Sequence, residues 1–306
     1  MQFAVECVPH LLGVDEELVA EAERQGKKIS EVVIEDQVLY MEVSKEKILE
    51  DMAKNYDVMR GPFDQNKKEE RRKSLTGLSG MNAGLMRDAI KNGKTIVGGF
   101  FSDVMANALT VSEHNAGMGK IVAAPTAGAS GILPAVLVAM ETYGKATRED
   151  IIRSIFTAGA VGMVIANKAS ISGAEGGCQA ECGSAAAMAA AALTELSGGS
   201  PKQVANAATI AIKNLMGLVC DPVCGLVEVP CVKRNAGSAA IAMASAEMAM
   251  AGIESVIPPD EVIDAMKAVG QALPVSLRET AEGGLAATPT ARRLEKTILS
   301  VSEKPL

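Results

Sequence analysis

Apolar residues recur along this chain at helical spacing, and few stretches show the strict alternation of a half-buried strand. Asp15-Glu16-Glu17 opens a first amphipathic segment, and Ser30 and Ser44 stand as N-caps for two more. The second of these carries Ile48, Met52 and Met59 at near-helical intervals. Thr147-Arg148-Glu149-Asp150 reads as a capping box heading a helix that runs to about Lys168. Ser184 to Leu196 is almost pure Ala, the best helix former, and Gly198-Gly199 stops it. Ser200-Pro201-Lys202-Gln203 supplies a cap, a first-turn proline and a back-bonding glutamine for a helix ending near Gly217. Asn235 to Gly252 predicts another helix, and Pro258-Pro259-Asp260-Glu261 begins the next. The expected fold class is all-α, an Ala/Gly-rich, bundle-like body.

Arg60 to Gly80 is rich in charge, Gly and Ser, and is the linker candidate. It divides an N-terminal helical segment, residues 1–75, from a body spanning 76–306, the two reading as one continuous unit. Its basic cluster, Lys67-Lys68 and Arg71-Arg72-Lys73, is interrupted by Glu69 and Glu70, as a solvated linker would be. Ile121 to Met140 contains no charge and is long enough to span a bilayer. It also holds Pro125, Gly128, Gly131 and Pro134, which would free backbone polar groups in hydrocarbon, so buried core is the expectation and no membrane partner.

Composition narrows the function classes. The 306 residues carry a net charge of −7, which disfavours nucleic acid as a partner. Only 3% are aromatic, so the 48% of apolar residues are mainly small or aliphatic and favour close helix packing. No secretory signal is visible at the N-terminus, and the six cysteines therefore read as reduced thiols of a cytoplasmic protein.

The cysteines concentrate in two places. Cys178 follows the Gly-rich Ser172-Gly173-Ala174-Glu175-Gly176-Gly177, an approach to a helix whose N-terminus would lower a thiol pKa. Cys220, Cys224 and Cys231 lie in a stretch where Pro222 and Pro230 make a continuous helix implausible. Spacing leaves metal binding and buried packing both open: there is no double CxxC arrangement, and only two histidines, His10 and His114. Ala124-Pro125-Thr126-Ala127-Gly128-Ala129-Ser130-Gly131 is a Gly-rich turn entering a helix, a candidate anion pocket in which Thr126 and Ser130 add hydroxyls. A tight helix-packing turn is the alternative there.

The blocks "VAAPTAGASGILPAV", "SISGAEGGCQ", "GLVCDPVCGLVEVPCVKRNA" and "RETAEGGLA" resemble, in order, the signature stretches of the iron–sulfur L-serine dehydratases over roughly residues 80 to 290. The resemblance implies a [4Fe–4S] cluster held by Cys178, Cys220 and Cys231, on loops between helices, and deamination of L-serine to pyruvate and ammonia. Three thiolates would leave one iron open as a Lewis acid for the serine hydroxyl, with loss of that iron in air. It also implies catalytic roles for Lys168 and Ser172, and substrate contacts from Asn115, Thr126, Ser130, Gly131, Arg234 and Asn235. A helix-end lysine favourably placed against the dipole is the competing reading of Lys168. Cys182 and Cys224 fall outside the ligand positions, and Cys7 reads as structural. No cysteine follows Cys231, and the Ser-Ser-His-Thr stretch of the family's ACT-like region is absent. An alpha subunit of a hetero-oligomer is therefore expected, whose beta subunit carries the ACT-like domain and supplies missing groups, the base among them. Open alternatives are a related lyase acting on L-cysteine, a pyridoxal-phosphate dehydratase, and a non-catalytic cluster-binding subunit.

Overall fold

The computed structural model describes residues 14–64 and 72–302. Cys7, His10 and most of the basic cluster, Lys67 to Arg71, lie outside the described residues. After a π-helical turn at Val14–Val19 come α1 (Ala20–Gln25), α2 (Ile29–Met41), α3 (Lys45–Asp64), α4 (Asn82–Lys91), α5 (Gly99–Ala116), α6 (Ile132–Thr142) and α7 (Arg148–Lys168). Then follow α8 (Gly173–Gly176), α9 (Ser184–Leu196), α10 (Pro201–Leu215), α11 (Cys231–Met250), α12 (Pro259–Ala272) and α13 (Pro289–Ser302). Among the described residues there is no β-strand, only two isolated bridges, Lys73 with Gly80 and Cys220 with Arg278. The fold is all-α.

The Ala-rich α9 is the axis of the bundle and packs against α6, α7, α10 and α11. Its residues from Ser184 to Glu195 are all buried. Alanine on every face lets four neighbours approach one helix, and the volume is made up by Ile, Leu and Val of the surrounding helices. Buried side chains of α2 and α3, including Val33, Ile48, Tyr56 and Met59, belong to the same continuous core. The charge-free stretch after Ile121 resolves into a loop and the eleven-residue α6, and no described helix is long and apolar enough to cross a membrane.

Local signals place most helix starts. The Thr147 hydroxyl accepts from the Asp150 amide while Asp150 accepts from the Thr147 amide at 3.1 Å. Ser200 and Gln203 repeat the arrangement at α10, and Ser44 Oγ accepts from the Lys47 amide ahead of α3. Ser30 departs from expectation. It lies inside α2, after an N-cap at Lys28, because its amide donates to Glu195 Oε2 of α9 at 3.1 Å. A buried carboxylate from another helix does the capping that the serine hydroxyl was expected to do. The helix expected from Asn235 starts earlier, at Cys231, directly after Pro230. The expected linker begins as helix, since α3 continues through Gly61 and Pro62 to Asp64.

Candidate active site

One end of the bundle gathers the segments that the four sequence blocks occupy. Cys178 sits between α8 and a π-helical turn, Gln179–Gly183, that runs directly into α9. Cys220 lies in the connection between α10 and α11, and Cys231 is the first residue of α11, on helix rather than on the turn-rich stretch. Cys178 and Cys220 are 3% and 4% exposed, and Cys231 is half-buried. The charge of Cys178 acts on both Cys220 and Cys231, and that of Cys231 on Cys220. Cys231 is pushed up to about 12 by burial and then by the neighbouring Cys178. Cys220 is raised further, by burial and then Glu181. Cys178 is lowered, by its hydrogen bond with Cys182 and then by the charge of Arg234, against its own burial.

The 277–286 segment holds Cys220 in place. The Cys220 amide donates to the Leu277 carbonyl at 2.9 Å, and the Glu279 amide donates to the Cys220 carbonyl at 2.8 Å. Asp221 Oδ2 accepts from the Leu285 amide at 2.7 Å, and a Cβ at Gly284 would come within 2.4 Å of the same oxygen. Arg234, on the first turns of α11, donates to the Val219 carbonyl and to Asp221 Oδ1 at 2.8 and 2.9 Å. The guanidinium thus braces the backbone on either side of Cys220 while its charge favours thiolate at Cys178.

The turn before α6 faces the same region. Asn235 Oδ1 accepts from the Gly131 amide at 2.9 Å, and its Nδ2 donates to the Gly128 and Cys231 carbonyls. A Cβ at Gly131 would lie 2.6 Å from Ser112 Oγ and 2.7 Å from the Ala108 carbonyl, so only glycine lets the turn reach α5. Asn115 donates to the Ala127 carbonyl at 3.0 Å. The amides of Ala129, Ser130 and Ile132 donate within the turn, and with Gly131 bonded to Asn235 these four are already engaged. The hydroxyl of Ser130 is not: it is buried with no hydrogen-bond partner.

The structure draws in a residue that sequence reasoning missed. Glu181 accepts from Thr126 Oγ1 at 2.9 Å, and its Oε2 lies 3.8 Å from Cys220 Sγ. Burial, ahead of every other influence, raises its carboxyl pKa. The one signal for it in the sequence was its place three residues after Cys178, which on a helical turn returns to the same side.

The other residues singled out in the sequence have surroundings of their own. Lys168 ends α7 and holds Asp260 of α12 at 3.3 Å, with Asp264 at 3.9 Å. Ser172 is half-buried at the head of α8, its amide donating to Ser170 Oγ. Cys182 Sγ lies 3.4 Å from Cys178 Sγ and is buried. Cys224 has a left-handed backbone at φ 60° and feels Glu295, Arg292 and Glu228 rather than the other cysteines.

Three cysteines are the donor type that an iron–sulfur cluster would take. Among the described residues no group of three His, Cys, Asp or Glu side chains lies close enough to hold one metal ion. Such a cluster would take thiolates from one segment or from several, provided that they face a common space. Two buried thiols and the half-buried Cys231, on separate segments beside a guanidinium, would suit such a group.

Comparison with known proteins agrees with this geometry. Residues 24–286 match the family described as "Serine dehydratase alpha chain". The chain is 51% identical to the "Probable L-serine dehydratase, alpha chain" of Bacillus subtilis (strain 168), over 92% of this chain and 93% of that one. It is 43% identical to the "L-serine dehydratase, alpha chain" of Peptoniphilus asaccharolyticus, over 94% and 99%. With the longer "L-serine dehydratase" of Streptomyces coelicolor it shares 50% identity over 58% of this chain and 40% of that one. A match of this extent and identity makes the chain a member of the serine dehydratase alpha-chain family.

Proposed function

We propose that this chain dehydrates and deaminates L-serine to pyruvate and ammonia as the alpha subunit of a two-chain cytoplasmic enzyme, with a [4Fe–4S] cluster on Cys178, Cys220 and Cys231. The observation that carries the reading is the gathering of two buried thiols and the half-buried Cys231 with Arg234 and the Ser130 turn at one end of the bundle. When bound, the cluster would supply a Lewis-acidic iron for the hydroxyl that leaves.

The chain's own groups do the rest. Arg234 offsets the negative charge that three thiolates bring, and through Val219 and Asp221 it keeps Cys220 oriented. Ser130 offers its unpartnered hydroxyl to the substrate carboxylate, on a turn that Asn235, Asn115 and Gly131 hold rigid. Burial of the site strengthens each of these polar contacts. The relatives named alpha chains support a beta partner, which would supply further active-site groups, the base for the Cα proton among them.

Anaerobic reconstitution with iron and sulfide tests the reading. Charge-transfer absorbance in the wild type, lost in Cys178→Ala, Cys220→Ala and Cys231→Ala but kept in Cys224→Ala, is the expected result. Pyruvate formation from L-serine with the beta subunit added completes it, and activity should fall in air and return with ferrous iron and thiol. Full activity in aerobic, iron-free protein would sink the proposal.

A further inference from the structure

Serine enters a site as a zwitterion, so a pocket that selects it needs an acceptor for the ammonium group as well as a partner for the carboxylate. Glu181 occupies the position such an acceptor requires. Its carboxylate stands where three segments meet: the 124–131 turn through Thr126, the 172–178 stretch through Gly173, and Cys220. A Cβ at Gly173 would come 2.7 Å from Oε2, and one at Gly128 would come 3.3 Å from Oε1, so a side chain at either position would crowd the carboxylate.

Its hydrogen bonding is unequal. Oε1 is held by the Thr126 hydroxyl at 2.9 Å, while the partner of Oε2 is the Cys220 thiol at 3.8 Å. A thiol that ligates iron has given up its hydrogen and can no longer donate. Oε2 would then be an acceptor in a buried site with its donor removed, an arrangement that a new donor must complete. No described residue forms a salt bridge with Glu181, and Arg234, the cation whose charge reaches it, is bonded to Asp221 and Val219.

We infer that the Glu181 carboxylate binds the α-ammonium group of the substrate and so determines the enzyme's choice of an amino acid over a simple hydroxy acid. This rests on the serine reading above and deepens it. Thr126 then acts as a positioning residue, fixing Oε1 so that Oε2 faces the ligand, and Gly173 and Gly128 provide its clearance.

The test compares L-serine with 3-hydroxypropionate, which keeps the hydroxyl and the carboxylate but lacks the ammonium group. Reconstituted alpha chain with its beta partner is assayed for the KM of L-serine, and 3-hydroxypropionate is titrated both as an inhibitor and calorimetrically without turnover. Glu181→Gln is expected to raise the KM for serine by roughly 30-fold or more while leaving 3-hydroxypropionate binding and cluster absorbance unchanged. Glu181→Asp, which keeps the carboxylate, should retain the preference for serine. Equal weakening of both ligands, an unchanged KM, or loss of the cluster from both variants overturns the inference. A wild-type enzyme that takes up no cluster and turns over no serine removes the underlying reading instead.

Discussion

Single carboxylates carry much of this structure, and each does so through the partners it gathers. Glu195 is 4% exposed and accepts from the Ser30 amide at 3.1 Å and the Thr157 hydroxyl at 2.7 Å, tying α2 and α7 to α9. Glu195→Ala would leave both donors buried and unpaired, and should cost about 3 kcal/mol in a urea unfolding curve. Glu195→Gln keeps an oxygen for them and should cost less. Glu181 is a carboxylate of the same kind, placed among cysteines instead of alanines. At Gly131 the constraint is space, since a methyl group would meet Ser112 and the Ala108 carbonyl at under 3 Å. Gly131→Ala is therefore expected to displace the turn and cut serine turnover at least tenfold even where the protein stays folded, with circular dichroism as the check. The glycine's requirement was not visible in the sequence, because it comes from α5 rather than from its own backbone.

The helices differ in what defines them. The capping boxes of α7 and α10 are local, readable in four consecutive residues, and present in the structure as expected. Thr147→Ala should lower stability by about 1 kcal/mol in thermal or denaturant melts, since the cap is exposed and its loss removes the bond from the Asp150 amide and the hydroxyl's own bond to Asp150 Oδ2. Helix α9 has the opposite character. Its propensity is legible from alanine alone, but its burial on every side follows from four packed neighbours. Ala189→Leu would force three extra carbons into a filled core and should destabilise by about 1–3 kcal/mol, whereas a change at an exposed helix position would not. A wild-type-like melt for that variant would show the centre of the bundle to be loosely packed.

For the whole molecule, two tyrosine–carboxylate contacts, one at the buried Tyr56 and one at the exposed Tyr143, set an alkaline limit. Tyr56 donates to Glu141 at 2.7 Å, joining α3 to α6, and burial and then that carboxylate raise its pKa above the ordinary range. Tyr143 is pushed up to about 12, chiefly by its hydrogen bond to Asp103. Both groups fold in the neutral form, and the unfolded phenols ionise near pH 10. The stability they contribute is therefore complete below about pH 10 and declines between roughly pH 10 and 12 for Tyr143, with Tyr56 persisting beyond it. Unfolding curves at stepped alkaline pH should show this decline, and Tyr56→Phe together with Tyr143→Phe should flatten it. An equally steep decline in the double variant would assign the limit to other groups.

The chain's local chemistry settled its fold class, its main helix starts and the identity of the alpha-chain blocks. Caps, proline positions and alanine runs act over four or five residues, so they can be read in order along the chain. The misplaced start at Ser30 and the early start at Cys231 have the contrary cause. Glu195 lies 165 residues from Ser30, and no local pattern announces a carboxylate arriving from another helix. The site divides in the same way. The candidate cysteines stand out in the chain because they sit in distinctive glycine- and proline-flanked motifs, whereas no local pattern joins Glu181 to Thr126, or Arg234 to Asp221 and Val219. Those pairings exist because helix packing around α9 brings the ends of distant segments to one place, and only the folded chain decides which polar atoms meet there.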